Sequence, residues 1–331
     1  MPIYSGSVEG IELASQALMR GDAVALPTET VYGLAANALD AVACAKIFEI
    51  KGRPLIDPLI VHVLNWGQAD SLACMPSDAR LLADAFWPGP LTLVVRRKEV
   101  VPDIVTAGKP TVAIRMPRHP IFRLVLEKTG LPLAAPSANP FGYISPTTAQ
   151  HVMDSLGSRI HIIIDGGCCD DGIESTILDL SHEVPTILRP GPVSREEIAA
   201  VLKCPVEMRV ATKAAPQAQA QEAPGLLKEH YCPHTPFFLF EKECPSITEK
   251  GTVAVVYLNR PSQQQTELSK EATLFWLSES GDLKEVARNL FALLRKLDSL
   301  HLSAIYMQRP PQDGIGISIN DRLSRAAARY R

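Results

Sequence analysis

No apolar run in the chain approaches the ~20 residues needed to cross a bilayer, and its N-terminal residues lack the basic-then-apolar shape of a secretory leader. Positive charge is not in excess either. The 33 Lys and Arg are outnumbered by 36 Asp and Glu, a formal net charge of −3, which excludes bulk attraction to nucleic acid and leaves open only a local basic face. Aromatic residues are scarce at 6%, too few for a platform on which bases stack. The 7 cysteines include no CxxC pair; an odd, scattered set predicts free thiols in a reducing cytoplasm, without a disulfide framework. Also missing are the GxxxxGK[ST] phosphate loop, a glycine fingerprint after a strand, a GxSxG elbow and HExxH. Any nucleotide must therefore be held by another device.

What is present is ordinary globular material: 331 residues, 46% hydrophobic and 21% charged, enough for about two domains. The chain is organised around residues 26–62, LPTETVYGLAANALDAVACAKIFEIKGRPLIDPLIVH, which read as strand, polar loop, helix, polar loop, strand. Residues 23–27 are an apolar run that ends in proline, where a strand stops. Asp40 is a predicted N-cap for a helix over 41–50, with Gly52 just past its end. KGRP then sets Lys51 and Arg53 close together, and PLIVHV is an apolar strand interrupted only by His62. Hydroxyls, a Lys–Arg pair and a histidine thus gather at the ends of consecutive elements, where α/β proteins build their sites. Paired cations beside Gly/Pro turns suit a phosphate-bearing ligand.

Before that stretch, residues 10–20 read as an amphipathic helix stopped by Gly21. After it come a helix over 77–85, the turn WPGP into LTLVV, a strand at TVAIR (111–115), a helix over 119–129, a strand over 131–135 and the proline-bounded loop PSANPFGYISPT. A helix over 149–156, a strand over 160–165, a Gly/Asp loop with a strand from Ser175, a short strand in PTILRPGP and a helix over 194–202 complete this half. Strands alternate with helices early and crowd together later, which argues a mixed sheet with helices packed on it, not a doubly wound parallel one. From about Arg209 the texture becomes an Ala/Gln/Pro-rich linker. Strand-like FFLF, TVAVVYL, TLFWL and AIYMQ follow, with helices over 283–297 and 320–328, as in a small α/β domain. The expected organisation is a catalytic domain over 1–208, a linker or lid over 209–235 and a C-terminal domain over 236–331.

Taken in order, PTETVYGL, KGRP, PLIVH, WPGPLTLVV and APSAN resemble the YrdC-type L-threonylcarbamoyladenylate synthases over about residues 10–202. The remainder resembles, more loosely, the C-terminal domain of the long form of that enzyme. The resemblance implies an α/β fold: a YrdC-like twisted mixed sheet with flanking helices, plus a smaller Rossmann-like α/β domain. It implies synthesis of L-threonylcarbamoyl-AMP and pyrophosphate from L-threonine, bicarbonate and ATP, with Mg²⁺ on the phosphates and no protein-built metal site. The product would supply a downstream tRNA threonylcarbamoyl transferase complex, so that contact with tRNA is indirect and no membrane is involved.

Each candidate residue has a plain structural reading beside the one the resemblance implies. Lys51 and Arg53 are by position solvated cations at a helix C-terminus; the resemblance makes them ATP ligands and, with Arg115, the catalytic set. His62 within an apolar strand reads as a packed core histidine; the resemblance places it with Thr30, Arg115, Ala135 and Ser175 around threonine. Arg115 ends a strand and is the residue type that grips a carboxylate bidentately. Thr111, Ser137, Asn139 and Ser145 are strand-edge and turn residues in themselves, Arg189 reads as an exposed arginine, and the resemblance makes all five ATP contacts. Asp57, where many family members carry Asn, is an altered ATP contact. PGLLKEHYCP keeps the Pro224, Gly225, His230, Tyr231 and Pro233 of the family's linker, which implies a strap that brings Tyr231 to ATP; Leu227 and Glu229 depart from its pattern. His230, Cys232 and His234 lack a second cluster and make a poor zinc site, and Cys168 and Cys169 read as incidental. Arg322, Arg325, Arg329 and Arg331 read as a solvated helix face ahead of a tRNA contact. Two other function classes stay open: an RNA- or tRNA-binding module, disfavoured by the acidic charge, and a carbamoyl-transfer enzyme of hydrogenase-maturation type, which normally brings acylphosphatase and zinc-finger modules absent from this sequence.

Overall fold

The computed structural model describes residues 2–209, 220–244, 247, 252–268 and 272–330. The chain divides into two compact units that are not contiguous in sequence. Met1–Phe141, Pro146–Asp170 and Glu174–Leu227 form the first, and Gly142–Ser145, Asp171–Ile173 and Lys228–Arg331 the second. Residues 210–219 of the expected linker lie outside the described residues.

The sheet of the first unit runs in the order Ile3–Ser5, Ile163–Asp165, Val24–Leu26, Gly33–Asn37, Leu133–Ala134, Ile60–His62, Thr111–Arg115, Leu91–Arg97, Thr176–Asp179, Thr186–Arg189 and Glu207–Met208; Ala73–Cys74 also pairs with Leu91–Arg97. It is mixed, as the crowding of later strands predicts. Ile60–His62 is parallel to Thr111–Arg115, which is antiparallel to Leu91–Arg97. Side chains alternate across the sheet, so Val61, Ile114, Leu93, Val95 and Leu178 enter one large apolar core. Ile60, Ala113, Val94, Ile177 and Leu188 form a smaller apolar floor on the opposite face, with Ala223 and Leu226 packed against it. Helices Val8–Met19 and Pro120–Thr129 bury a further cluster around Leu18, Phe122 and Leu126.

The helix predicted over 41–50 is present as Ala41–Lys51. The Asp40 carboxylate accepts from the N–H groups of Val42 (2.9 Å) and Ala43 (3.1 Å), and Gly52, left-handed at φ 63°, ends it. The Arg53 N–H then folds back onto the Phe48 carbonyl at 2.9 Å. Two elements escape the sequence pattern. Gly33–Asn37 is a strand although GLAAN has no β-branched residue; it is held between Val24–Leu26 and Leu133–Ala134 by antiparallel pairing. Trp66–Leu72 is a short helix, capped by Asn65.

The second unit has a parallel sheet in the order Phe237–Phe240, Ala304–Gln308, Val253–Asn259, Thr273–Ser278, with helices Leu283–Asp298 and Gly314–Ala326. Asp298 accepts from the N–H groups of His234 (2.9 Å) and Thr235 (2.8 Å) and from the hydroxyls of Thr235 (2.9 Å) and Tyr143 (2.8 Å). The solvated-face reading of the C-terminal arginines fails for Arg322. Its side chain is fully buried, 3.1 Å from Asp321 and 5.7 Å from the centre of the Tyr231 ring, because a planar guanidinium stacks on an aromatic face. Arg325 is largely buried against the same Asp321, Arg329 remains partly exposed near Glu229, and Arg331 lies outside the described residues.

Candidate active site

The strand pairing sets His62 opposite Arg115, and Arg115 opposite Thr92. Alternation places all three on the face of Ile60, Ala113 and Val94, so a polar row borders the apolar floor. Arg115 is buried and its guanidinium is fixed from several sides. Its Nε donates to the Gly89 carbonyl (3.2 Å), its Nη1 to Thr30 Oγ1 (3.0 Å), and its Nη2 lies 2.8 Å from Glu29 Oε1. Thr30 is itself held by Thr28, whose Oγ1 accepts from the N–H groups of Thr30 (3.1 Å) and Val31 (3.2 Å) and lies 2.8 Å from Thr30 Oγ1. His62 packs on Phe122. Burial, reinforced by the Arg115 charge, pushes its pKa down to about 3, so the imidazole is neutral at ordinary pH. Ala135 is buried beside these groups, its N–H bonded to the Ile60 carbonyl at 3.0 Å.

A second group is cationic. Lys51 and Arg53 are buried, not solvated. Lys51 Nζ donates to the carbonyls of Ser137 and Asn139, each at 2.5 Å. Burial, and after it the Arg53 charge, press the Lys51 ammonium well below the ordinary lysine range. Arg53 donates to the carbonyls of Asp57 (3.0 Å) and Pro58 (2.7 Å) and pairs with the Asp57 carboxylate at 2.9 Å. Burial pushes the Asp57 carboxyl up, against the pull of Arg53, Lys51 and Arg189. One acid therefore faces several bases, and the surplus positive charge in a dry setting is a seat for a polyanion.

The two groups are joined. Ser175 Oγ lies 2.8 Å from Thr92 Oγ1. Arg189 donates from Nε and Nη2 to the Ser175 carbonyl (3.2 and 3.0 Å), from Nη2 to Ser175 Oγ (3.2 Å) and from Nη1 to the Pro224 carbonyl (3.3 Å). The turn after Arg189 lies so close that a Cβ at Gly191 would stand 2.3 Å from the Thr176 nitrogen, so only glycine fits there. Thr30, His62, Arg115, Ala135 and Ser175 are thus brought to one end of one sheet face, with Lys51, Arg53, Asp57, Ser137, Asn139 and Arg189 beside them. Thr111 is not part of this path: it opens the strand that Arg115 ends, ~13 Å away by the strand rise. Ser145 and Tyr231 belong to the second unit. The Ser145 carbonyl accepts from Arg295 (3.3 Å), and Tyr231, at φ 63°, is buried and stacked on Phe291 at 5.4 Å.

Sequence reasoning missed Glu29, Thr28 and Thr92. Glu29 was visible within TET, but nothing local ties it to an arginine far along the chain. His230, Cys232 and His234 point to different partners: the Tyr231 ring, the carbonyls of His230 and Arg325, and the Tyr143 ring. Among the described residues no group of three or more His, Cys, Asp or Glu is placed to hold a metal ion, and no helix is long and apolar enough to cross a membrane.

The Sua5/YciO/YrdC family model, described as "Telomere recombination", matches residues 16–191, and "Threonylcarbamoyl-AMP synthase, C-terminal domain" matches residues 193–328. The chain is 39% identical over 327 residues to the threonylcarbamoyl-AMP synthase of Pyrococcus abyssi, covering 97% of this chain and 94% of that protein. It is 37% identical to the Bacillus subtilis threonylcarbamoyl-AMP synthase, covering 96% of this chain and 92% of the relative. The crystal structure of P. abyssi Sua5 complexed with L-threonine superimposes with a TM-score of 0.87 at 36% identity, over 99% of this chain and 97% of that one. The chain belongs to the Sua5/YciO/YrdC family, in its two-domain threonylcarbamoyl-AMP synthase form.

Proposed function

We propose that the chain is an L-threonylcarbamoyl-AMP synthase, condensing L-threonine, bicarbonate and ATP to L-threonylcarbamoyl-AMP and pyrophosphate for the threonylcarbamoyladenosine modification of tRNA. One observation carries the reading. A guanidinium seat for a carboxylate, at Arg115, is joined through Thr92 and Ser175 to a surplus-cation seat at Arg189, Lys51 and Arg53.

The Arg115 guanidinium has five N–H donors, of which Gly89, Thr30 and Glu29 engage only part. The rest are left for the amino acid's carboxylate. Thr30, neutral His62 and Ser175 offer hydroxyls and an imidazole to its remaining polar groups. The threonine amine takes up the carbon of bicarbonate as a carbamate, and a carbamate oxygen attacks the α-phosphorus of ATP. Lys51, Arg53 and Arg189 neutralise the phosphates and the departing pyrophosphate. No protein nucleophile enters; rate comes from placing two anions in line, compensating their charge and keeping water from a labile carbamate.

The acid within the cation cluster, Asp57, is paired with Arg53 at 2.9 Å. Mg²⁺ is proposed as part of the substrate, bridging ATP phosphates. The product passes to a tRNA threonylcarbamoyl transferase complex, in the cytoplasm, with tRNA met only there. A hydrogenase-maturation role is disfavoured by the match of residues 193–328 to the synthase C-terminal domain. Incubating purified protein with ATP, L-threonine and bicarbonate is expected to release pyrophosphate in a threonine-dependent manner. Release no greater than in a control lacking threonine overturns the proposal.

A further inference from the structure

Glu29 has no part in the reaction as derived so far, yet it is the most deeply placed acid of the Arg115 seat. Its side chain is 1% exposed, and its Oε1 lies 2.8 Å from Arg115 Nη2. The carboxylate is paired with Arg115 and faced by the backbone amides of Glu29 and Arg118, which leaves part of its roughly four lone-pair sites open. A buried carboxylate with spare acceptor capacity, adjoining a buried guanidinium with spare donors, is the mirror image of an amino acid zwitterion.

We propose that Glu29 receives the α-ammonium group of the substrate amino acid and takes the proton released as the carbamate forms. This rests on the synthase reading. In that step the ammonium group and bicarbonate give the N-carboxylate, one water and one proton. Two N–H bonds break: one electron pair forms the new N–C bond and that proton ends on a Glu29 oxygen, while the C–O bond of bicarbonate breaks and its hydroxyl leaves as water with the second proton.

The surroundings time the event. Burial raises the Glu29 pKa, but Arg115, with the backbone amides of Glu29 and Arg118, outweighs it and holds the carboxyl below the usual carboxylate range. When the substrate carboxylate settles on Arg115 it draws off that compensation, burial prevails, and Glu29 becomes a better proton acceptor only once the substrate is in place. The other charged or titratable groups facing Glu29 are His62, on the strand beside Arg115, and His119, in the turn after it. His62 is held neutral, and burial lowers the pKa of His119.

The test uses the full chain. Wild-type pyrophosphate release settles the synthase reading first. In Glu29→Gln, threonine-dependent turnover is expected to fall by about 10²–10⁴-fold, the scale of a lost general base, and the acid limb of the wild-type kcat–pH profile to disappear. ATP formation from threonylcarbamoyl-AMP and pyrophosphate moves no amine proton on the enzyme and is expected to persist within a few-fold. Equal loss in both directions, or an unchanged forward rate, overturns the assignment. Glu29→Asp, which keeps a carboxylate, is expected to retain part of the forward rate and the acid limb; loss equal to that of the Gln variant overturns it. Calorimetry on the unaltered protein needs no variant. L-Threonine must bind more tightly than its amine-free analogue 2,3-dihydroxybutanoate, and equal binding also overturns the proposal, even if no pyrophosphate is made.

Discussion

A histidine kept neutral inside a strand leaves a thermodynamic trace. The folded-state pKa of His62, about 3, is depressed from the ordinary 6.5, so the unfolded chain binds a proton across that interval and the folded chain does not. Its contribution to stability is present above pH 6.5 and is lost as the pH falls toward 3. The midpoint of urea unfolding is expected to drop between pH 6.5 and 4, and His62→Gln to flatten that slope; parallel curves for both proteins refute the assignment. Arg115 gives a second prediction. Arg115→Lys keeps the charge but not the planar fork, and is expected to weaken threonine binding by about 1–3 kcal/mol, roughly 5- to 150-fold in KM, with the KM for ATP little changed. An equal rise in both KM values contradicts a dedicated carboxylate seat. Arg115 stood out in the sequence because a charge that ends an apolar strand lies either in solvent or among partners, and its burial against Glu29 and Thr30 excludes solvent. Glu29 did not, since its meaning depends on a partner 2.8 Å away in space and remote in sequence. Arg322 misled for the opposite reason: arginines on an amphipathic helix are normally wet, and only the Tyr231 ring explains why this one is dry.

At the scale of elements, helix Ala41–Lys51 is the lever that delivers the cations. Its Asp40 cap and left-handed Gly52 set where Lys51 ends the helix and how Arg53 turns back. Asp40→Ala is expected to cost about 1 kcal/mol of stability, and Gly52→Ala a similar amount, because alanine resists φ 63°. Chemical denaturation measures both; no change in either midpoint would show that tertiary packing alone places the helix. This element could be read from the sequence, cap and stop included, because its signals are local. Strand Gly33–Asn37 could not. GLAAN carries no strand propensity of its own, and its conformation is imposed by Val24–Leu26 on one side and Leu133–Ala134 on the other. The polar residues at the strand ends were legible for a different reason, since hydroxyls and cations interrupting apolar runs stand out wherever the strands finally pair.

At the scale of the whole molecule, the order of the chain and the order of its bodies differ. The second unit claims Gly142–Ser145 and Asp171–Ile173 from the middle of the sequence. A linear reading places boundaries between residues and has no means to see such returns. Within that unit, Arg295 donates to the carbonyls of Ile144 and Ser145, and Asp298 holds the Tyr143 hydroxyl. A chain cut after Leu227 would strip these partners away and bare Ile144 and Ile173, both fully buried in the intact protein. Such a truncation is expected to unfold at lower denaturant than the intact chain and to bind a hydrophobic dye in the absence of denaturant. Equal midpoints would mean that the returning segments carry no stability.

Synthesis on the ribosome proceeds in one direction, and the stitched second unit cannot follow it. Ile144 emerges well before helix Leu283–Asp298 exists, a delay on the order of ten seconds at ordinary elongation rates. During that interval Gly142–Ser145 and Asp171–Ile173 wait for the rest of the second unit, which only translation of the last third of the message can supply.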